Sequence, residues 1–182
     1  MKHIQAPEVY EKKHNEIAVF LAGGCGNRDW ANTVIKQLNE SNLNSLVLYD
    51  PYNPNITDNY AQVQWEFNYL NNYINDHFIF SIYFDNYTDQ PISMYELGRA
   101  SVLCKEQAVK VGPHNNSLLD KTQVILLNYG FPMVVSIHPE APKREDIISQ
   151  CKLANVCCEV CSPVEHYKRI YNEYKDIKHH MM

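Results

Sequence analysis

Short apolar runs alternate with stretches of helical spacing along this 182-residue chain, and that alternation limits what it can fold into. Ile17–Ala22 is an apolar run closed by Gly23-Gly24, and Ser45–Tyr49 is closed by the turn-rich Asp50-Pro51-Tyr52-Asn53-Pro54. Further runs lie at His77–Phe84, Ala108–Val111, Pro132–Ile137 and Val156–Cys161. Between them, Asp29 to about Asn39 places Trp30, Val34, Ile35 and Leu38 on one helical face. Asn59–Ile74 has helical spacing through Val63, Phe67, Leu70 and Ile74, which are expected to face the core. Helices are also expected around Glu96 (to about residue 104), at Leu118–Asn128, and near residues 143–153 and 163–177. Strands alternating with helices predict an α/β protein with a mainly parallel sheet, helices on both faces and right-handed crossovers. No repeat or linker divides the chain, so residues 1–182 are expected to form one domain, with 1–16 as an N-terminal extension.

Composition excludes several classes of function. The net charge is −5 and no basic stripe is present, which argues against a protein that tracks nucleic-acid phosphates. No apolar run reaches membrane-spanning length, and residues 1–16 lack the apolar core of a signal peptide, so a cytoplasmic protein is expected. Without such a signal, the six cysteines are read as free thiols rather than a disulfide framework. Cys158-x-x-Cys161, with Cys151 and His166 nearby, has some of the look of a zinc site. A single CxxC without a second well-spaced pair is weak evidence, and the segment also reads as a short buried strand. Neither a metal nor a cofactor is expected. His179-His180 is expected to be a frayed tail.

Four segments can carry chemistry. Pro91-Ile92-Ser93-Met94-Tyr95-Glu96-Leu97-Gly98-Arg99-Ala100 places a carboxylate at a helix start just after an apolar strand. In open α/β sheets that is the position of the ligand crevice, and the helix dipole there favours an ionised Glu96. Ser93-x-x-Glu96 also has capping-box spacing, a purely structural use of the same residues. The Gly23-Gly24-Cys25-Gly26 turn, followed by Asp29-Trp30, allows close backbone approach and offers a helix N-terminus to a ligand, with Asp29 as the helix cap. Its spacing is neither a Walker loop nor GxGxxG. In Gln64-Trp65-Glu66, a tryptophan beside a carboxylate can stack on or hydrogen-bond a planar heterocycle. The polar loop Asp85-Asn86-Tyr87-Thr88-Asp89-Gln90 offers Asp85 or Asp89 as a second carboxylate beside Glu96.

Taken in order, these segments resemble the nucleoside 2-deoxyribosyltransferase-like family. The resemblance rests on Phe20-Leu21-Ala22-Gly23-Gly24 with Asp29-Trp30, Gln64-Trp65-Glu66-Phe67, and Pro91 to Gly98, and continues weakly through Val111-Gly112-Pro113-His114. It covers about residues 17–130 and leaves the part from about residue 138 unmatched. It implies a flavodoxin-like (Rossmann-like) sheet, a homo-oligomer and a small-molecule nucleoside or nucleotide substrate. It also implies that Glu96 is the nucleophile that takes a deoxyribosyl group from one base and passes it to another. Glu66, Asp85 and Asp89 are the candidates for the acid that assists the leaving base, while Gly23, Gly24, Asp29, Trp65, Asp89 and Ser93 are expected to contact substrate.

The family often carries an aspartate about six residues before the nucleophile, where this chain has Gln90. Related members hydrolyse nucleoside 5′-monophosphates and share the Tyr95–Arg99 run, which makes Arg28, Arg99 or Ser93 candidate phosphate ligands. Transfer through a dry, aromatic pocket is favoured over that hydrolysis. A protein that binds nucleotides without turnover is the remaining reading, with Glu96 kept only as the capping partner of Ser93.

Overall fold

The computed structural model describes residues 1–72, 77–87, 89–110 and 131–181. Six strands form one all-parallel sheet: β1 (Lys2–Gln5), β2 (Ile17–Gly23), β3 (Leu46–Asp50), β4 (Phe78–Phe84), β5 (Met133–Ile137) and β6 (Cys158–Val160). Among the described residues, five helices accompany them: α1 (Asp29–Glu40), α2 (Asn59–Asn72), α3 (Pro91–Lys110), α4 (Arg144–Leu153) and α5 (Pro163–His180). The order across the sheet is β1-β3-β2-β4-β5-β6. From β3 to β6 this is the flavodoxin-like order, with β1 added outside β3. The N-terminal extension therefore contributes a strand that its polar composition concealed: Lys2 pairs with Val47 and Ile4 with Tyr49.

Alternation along the central strands divides the core into two layers. Phe20, Phe80, Ile82 and Phe84 pack with Trp65, Tyr69 and Leu70 of α2, Leu97 of α3 and Ile147 of α4. On the opposite face, Ile17, Val19, Leu21 and Tyr83 pack with Trp30, Val34 and Leu38 of α1 and Ile170 and Tyr174 of α5. There, His166 is fully buried between two serines, its ring nitrogens 2.8 Å from Ser81 Oγ and Ser136 Oγ. Burial drives its pKa down to about 3, so the ring is neutral.

Several local expectations are corrected. In α2, Trp65 and Tyr69 are buried while Val63 and Phe67 are exposed. The Trp65 ring packs against Tyr69, Tyr49 and Phe20, and this aromatic cluster, rather than Val63 and Phe67, sets the helix's rotation. Residues 108–110, expected to begin a strand, continue α3, and His179-His180 are the last turn of α5 rather than a frayed tail. Val111 and the expected helix at 118–128 lie outside the described residues. Ser93 is the third residue of α3, past the cap position, because the helix already begins at Pro91. The S-x-x-E capping box occurs instead at Ser162 and Glu165, where α5 starts.

Candidate active site

Strand β2 lies between β3 and β4, so the crossover through α1 leaves it on one side and the chain returns through α2 to the other. Ligands in such sheets bind beyond the carboxyl ends of the strands at this reversal. A cavity of about 430 Å³ occupies that place, within the usual range for small-molecule sites. Gly23, Gly24 and Cys25 after β2 and Pro51 after β3 form its floor, Gln62, Val63 and Glu66 of α2 one wall, and Asp89 to Ser93 with Glu96 the other.

Both glycines of the floor are required. Gly23 has φ of +147°, and a Cβ there would stand 2.5 Å from the Trp30 ring and 2.5 Å from the Tyr83 carbonyl oxygen. A Cβ on Gly24 would stand 2.3 Å from Asp85 Oδ2. Trp30 closes the turn from behind, its indole N–H donating to the Gly24 carbonyl at 3.1 Å.

Of the three carboxylates that line the cavity, Glu96 and Glu66 stand inside it and Asp89 at its rim. Glu96 is 7% exposed, and among the described residues no hydrogen bond or ion pair holds its charge. Burial pushes its pKa up to about 8, with the nearby Glu66 charge adding to the effect. Sequence reasoning expected the helix dipole to favour an ionised Glu96. That effect is about 1 kcal/mol, whereas the shift from 4.5 to about 8 corresponds to a few kcal/mol, so desolvation wins. Glu66 is also raised by burial, although Gln62 Nε2 donates to its Oε1 at 2.9 Å and partly offsets this.

The structure gathers Glu96, Glu66, Asp89, Ser93, Gly23 and Gly24 around one cavity. Asp89 stands at the rim, its carboxylate 2.8 Å from Lys143 Nζ. Three expected residues lie elsewhere. Trp65 is in the core, where its indole N–H donates to the Glu8 carbonyl at 2.7 Å, so it does not line the base side of the cavity. Asp29 is the first residue of α1 and Arg28 holds the cap position; with Asp85, Asp29 borders a separate cavity of about 230 Å³. Asp85 stands behind the Gly24–Gln90 wall rather than beside Glu96, because its Oδ1 is drawn to Gln90 Nε2 at 2.7 Å and the Tyr87 N–H at 2.8 Å.

Cys25, Pro51, Gln62, Val63, Gln90, Pro91 and Ile92 line the cavity without having been singled out for it. Gln62 alone left a signal, the four-residue spacing to Glu66. Among the described residues, no lysine or arginine lines the cavity. Arg28 is engaged instead with Asp50, 2.8 and 2.7 Å from its two carboxylate oxygens, and the Arg99 guanidinium lies over the Phe67 ring at 4.1 Å.

The fold and site thus define a flavodoxin-like α/β protein with one buried acid, Glu96, and one half-buried acid, Glu66, at the ligand crevice. The family model for nucleoside 2-deoxyribosyltransferase-like proteins matches residues 16–114, more than half of the chain, and the protein belongs to that family. The match contains the glycine turn, α2, β4 and the Glu96 helix. No curated protein matches the chain. Among the described residues, no helix is long and apolar enough to cross a membrane.

Proposed function

We propose that the protein cleaves the N-glycosidic bond of a (deoxy)nucleoside and transfers the sugar to a second base, with Glu96 as nucleophile. The observation that carries this reading is the pairing of Glu96 with Glu66 in one cavity at the sheet's reversal point, within a nucleoside 2-deoxyribosyltransferase-like chain. Ionised Glu96 attacks the anomeric carbon as the bond to the base breaks, and that bond's electron pair leaves with the base nitrogen. Glu66, raised by burial and therefore able to hold a proton at higher pH than an ordinary carboxyl, supplies the proton to the departing base. The acceptor base then attacks the same carbon, its N–H proton returns to Glu66, and Glu96 is released. Because this requires Glu96 ionised and a proton on Glu66, the reactive form holds one proton on the pair: kcat/KM rises as the first proton leaves the pair and falls as the second leaves, near pH 8.

A neutral nucleoside fits better than a 5′-monophosphate, because among the described residues the lining carries acidic side chains and no cationic one. We further propose that a second copy of the chain covers the exposed apolar residues Val63, Phe67, Ile92 and Tyr95, since Val63 and Ile92 also form the mouth of the cavity. Light scattering would then give a multiple of the chain mass. The activity test is a deoxynucleoside donor incubated with and without a second free base and followed by chromatography. The expected result is a new nucleoside formed faster than free sugar. Sugar release at the same rate whatever the acceptor, fastest from a 5′-monophosphate, replaces transfer by hydrolysis.

A further inference from the structure

Gln90 occupies an unusual position in the cavity wall. It is 6% exposed and adopts a left-handed backbone (φ +47°) just before Pro91 opens α3, and its carbonyl accepts the Met94 N–H at 3.1 Å. Its side-chain amide is oriented by Asp85, itself 2% exposed. Gln90 Nε2 donates to Asp85 Oδ1 at 2.7 Å and lies 3.4 Å from the Asp85 carbonyl oxygen. The Asp85 backbone carbonyl can only accept and Asp85 Oδ1 already accepts the Tyr87 N–H, so the amide nitrogen faces Asp85 and the amide oxygen faces away. That oxygen, Gln90 Oε1, is buried and has no hydrogen-bond partner among the described residues.

A buried acceptor left unmet costs about 1–3 kcal/mol. The Gln90 amide is also pressed against the glycine floor, since a Cβ on Gly24 would stand 2.9 Å from Gln90 Cδ. The amide thus belongs to the wall that a ligand touches, and its free atom can only accept. We propose that Gln90, oriented by Asp85, is a specificity-determining residue that recognises a hydrogen-bond donor on the substrate, either an exocyclic amine of the base or a hydroxyl of the sugar. The proposal rests on the nucleoside reading above and adds what the nucleoside must present. In this arrangement Asp85 is a positioning residue, acting through Gln90 and not on the reacting atoms.

The test is calorimetric binding to the Glu96→Gln protein, which avoids turnover. The probes are 2′-deoxyadenosine, its analogue without the 6-amino group, 2′,3′-dideoxyadenosine, 2′,5′-dideoxyadenosine, and the corresponding 2′-deoxycytidine set. Removing the group that meets Gln90 Oε1 is expected to weaken binding at least tenfold, and adding Gln90→Met is expected to abolish that difference. Loss with the amine assigns the contact to the base, and loss with the hydroxyl assigns it to the sugar. Equal affinity across each set, or discrimination that survives Gln90→Met, overturns the role of Gln90 while the nucleoside reading stands. Should Gln90→Met fail to fold, Gln90→Asn, whose shorter amide cannot span from Asp85 to the same donor, is judged by the same criterion. Absence of binding by every probe overturns the nucleoside reading and this proposal together.

Discussion

Replacing Glu96 with glutamine tests the environment of the carboxyl independently of any substrate. In the folded protein Glu96 keeps its proton up to about pH 8, whereas in the unfolded chain it releases it near 4.5. Between those values the native state binds more protons than the unfolded state, so stability falls as pH rises. The contribution is whole below about 4.5 and is lost progressively up to about 8. At about 1.36 kcal/mol per pH unit, the loss reaches about 2 kcal/mol at pH 6 and has a ceiling near 5 kcal/mol above pH 8. Glutamine has nearly the same shape and does not titrate, but its amide hydrogens enter a site with no hydrogen-bond partner for Glu96 among the described residues, costing about 1–3 kcal/mol at any pH. Glu96→Gln is therefore expected to be slightly less stable than the parent at pH 5 and more stable at pH 9. With about 2–4 °C per kcal/mol for a chain of this size, the difference in melting temperature should move by roughly 10 °C across that range. Thermal melts of both proteins from pH 5 to 9 measure it, with far-ultraviolet circular dichroism as the probe. A difference that stays flat with pH, or that favours the parent at alkaline pH, refutes the argument that Glu96 is buried and unpaired.

Glu66→Gln removes both the charge that helps raise Glu96 and the proton donor of the pair, so kcat should fall and the alkaline decline of kcat/KM should disappear; a pH–rate profile of base release measures both. Gly24→Ala places a methyl 2.3 Å from Asp85 Oδ2 and should lower stability by about 1–3 kcal/mol in urea unfolding. His166 is held neutral with its pKa near 3, so stability is lost as pH falls from about 6.5 towards 3; His166→Gln should flatten that acid limb in melts from pH 3 to 7.

Much of this fold was legible because hydrophobic periodicity is a local property. The runs at Ile17–Ala22 and His77–Phe84 are buried on both faces, and any chain segment of that kind has to become a central strand. The glycine turn and the Pro91–Ala100 segment directly follow such strands, so their place at the mouth of the crevice could be inferred from order alone. Strand β1 could not be, because Lys2–Gln5 becomes a strand only through its pairing with β3, far along the chain.

Side-chain direction and protonation were decided by tertiary contacts. Val63-x-x-x-Phe67 and Trp65-x-x-x-Tyr69 have equal helical spacing, and only the rings of Phe20 and Tyr49 across the sheet select the second pair as the buried face. Asp85 looked like a partner for Glu96 until its hydrogen bond with Gln90 turned it behind the wall. The same S-x-x-E pattern caps a helix at Ser162, where solvent reaches it, and buries an acid at Glu96, where the sheet and Glu66 surround it. Sequence spacing determined which residues stand near the crevice. Desolvation and the neighbouring charge, which exist only in the folded chain, determined that Glu96 holds its proton near neutral pH.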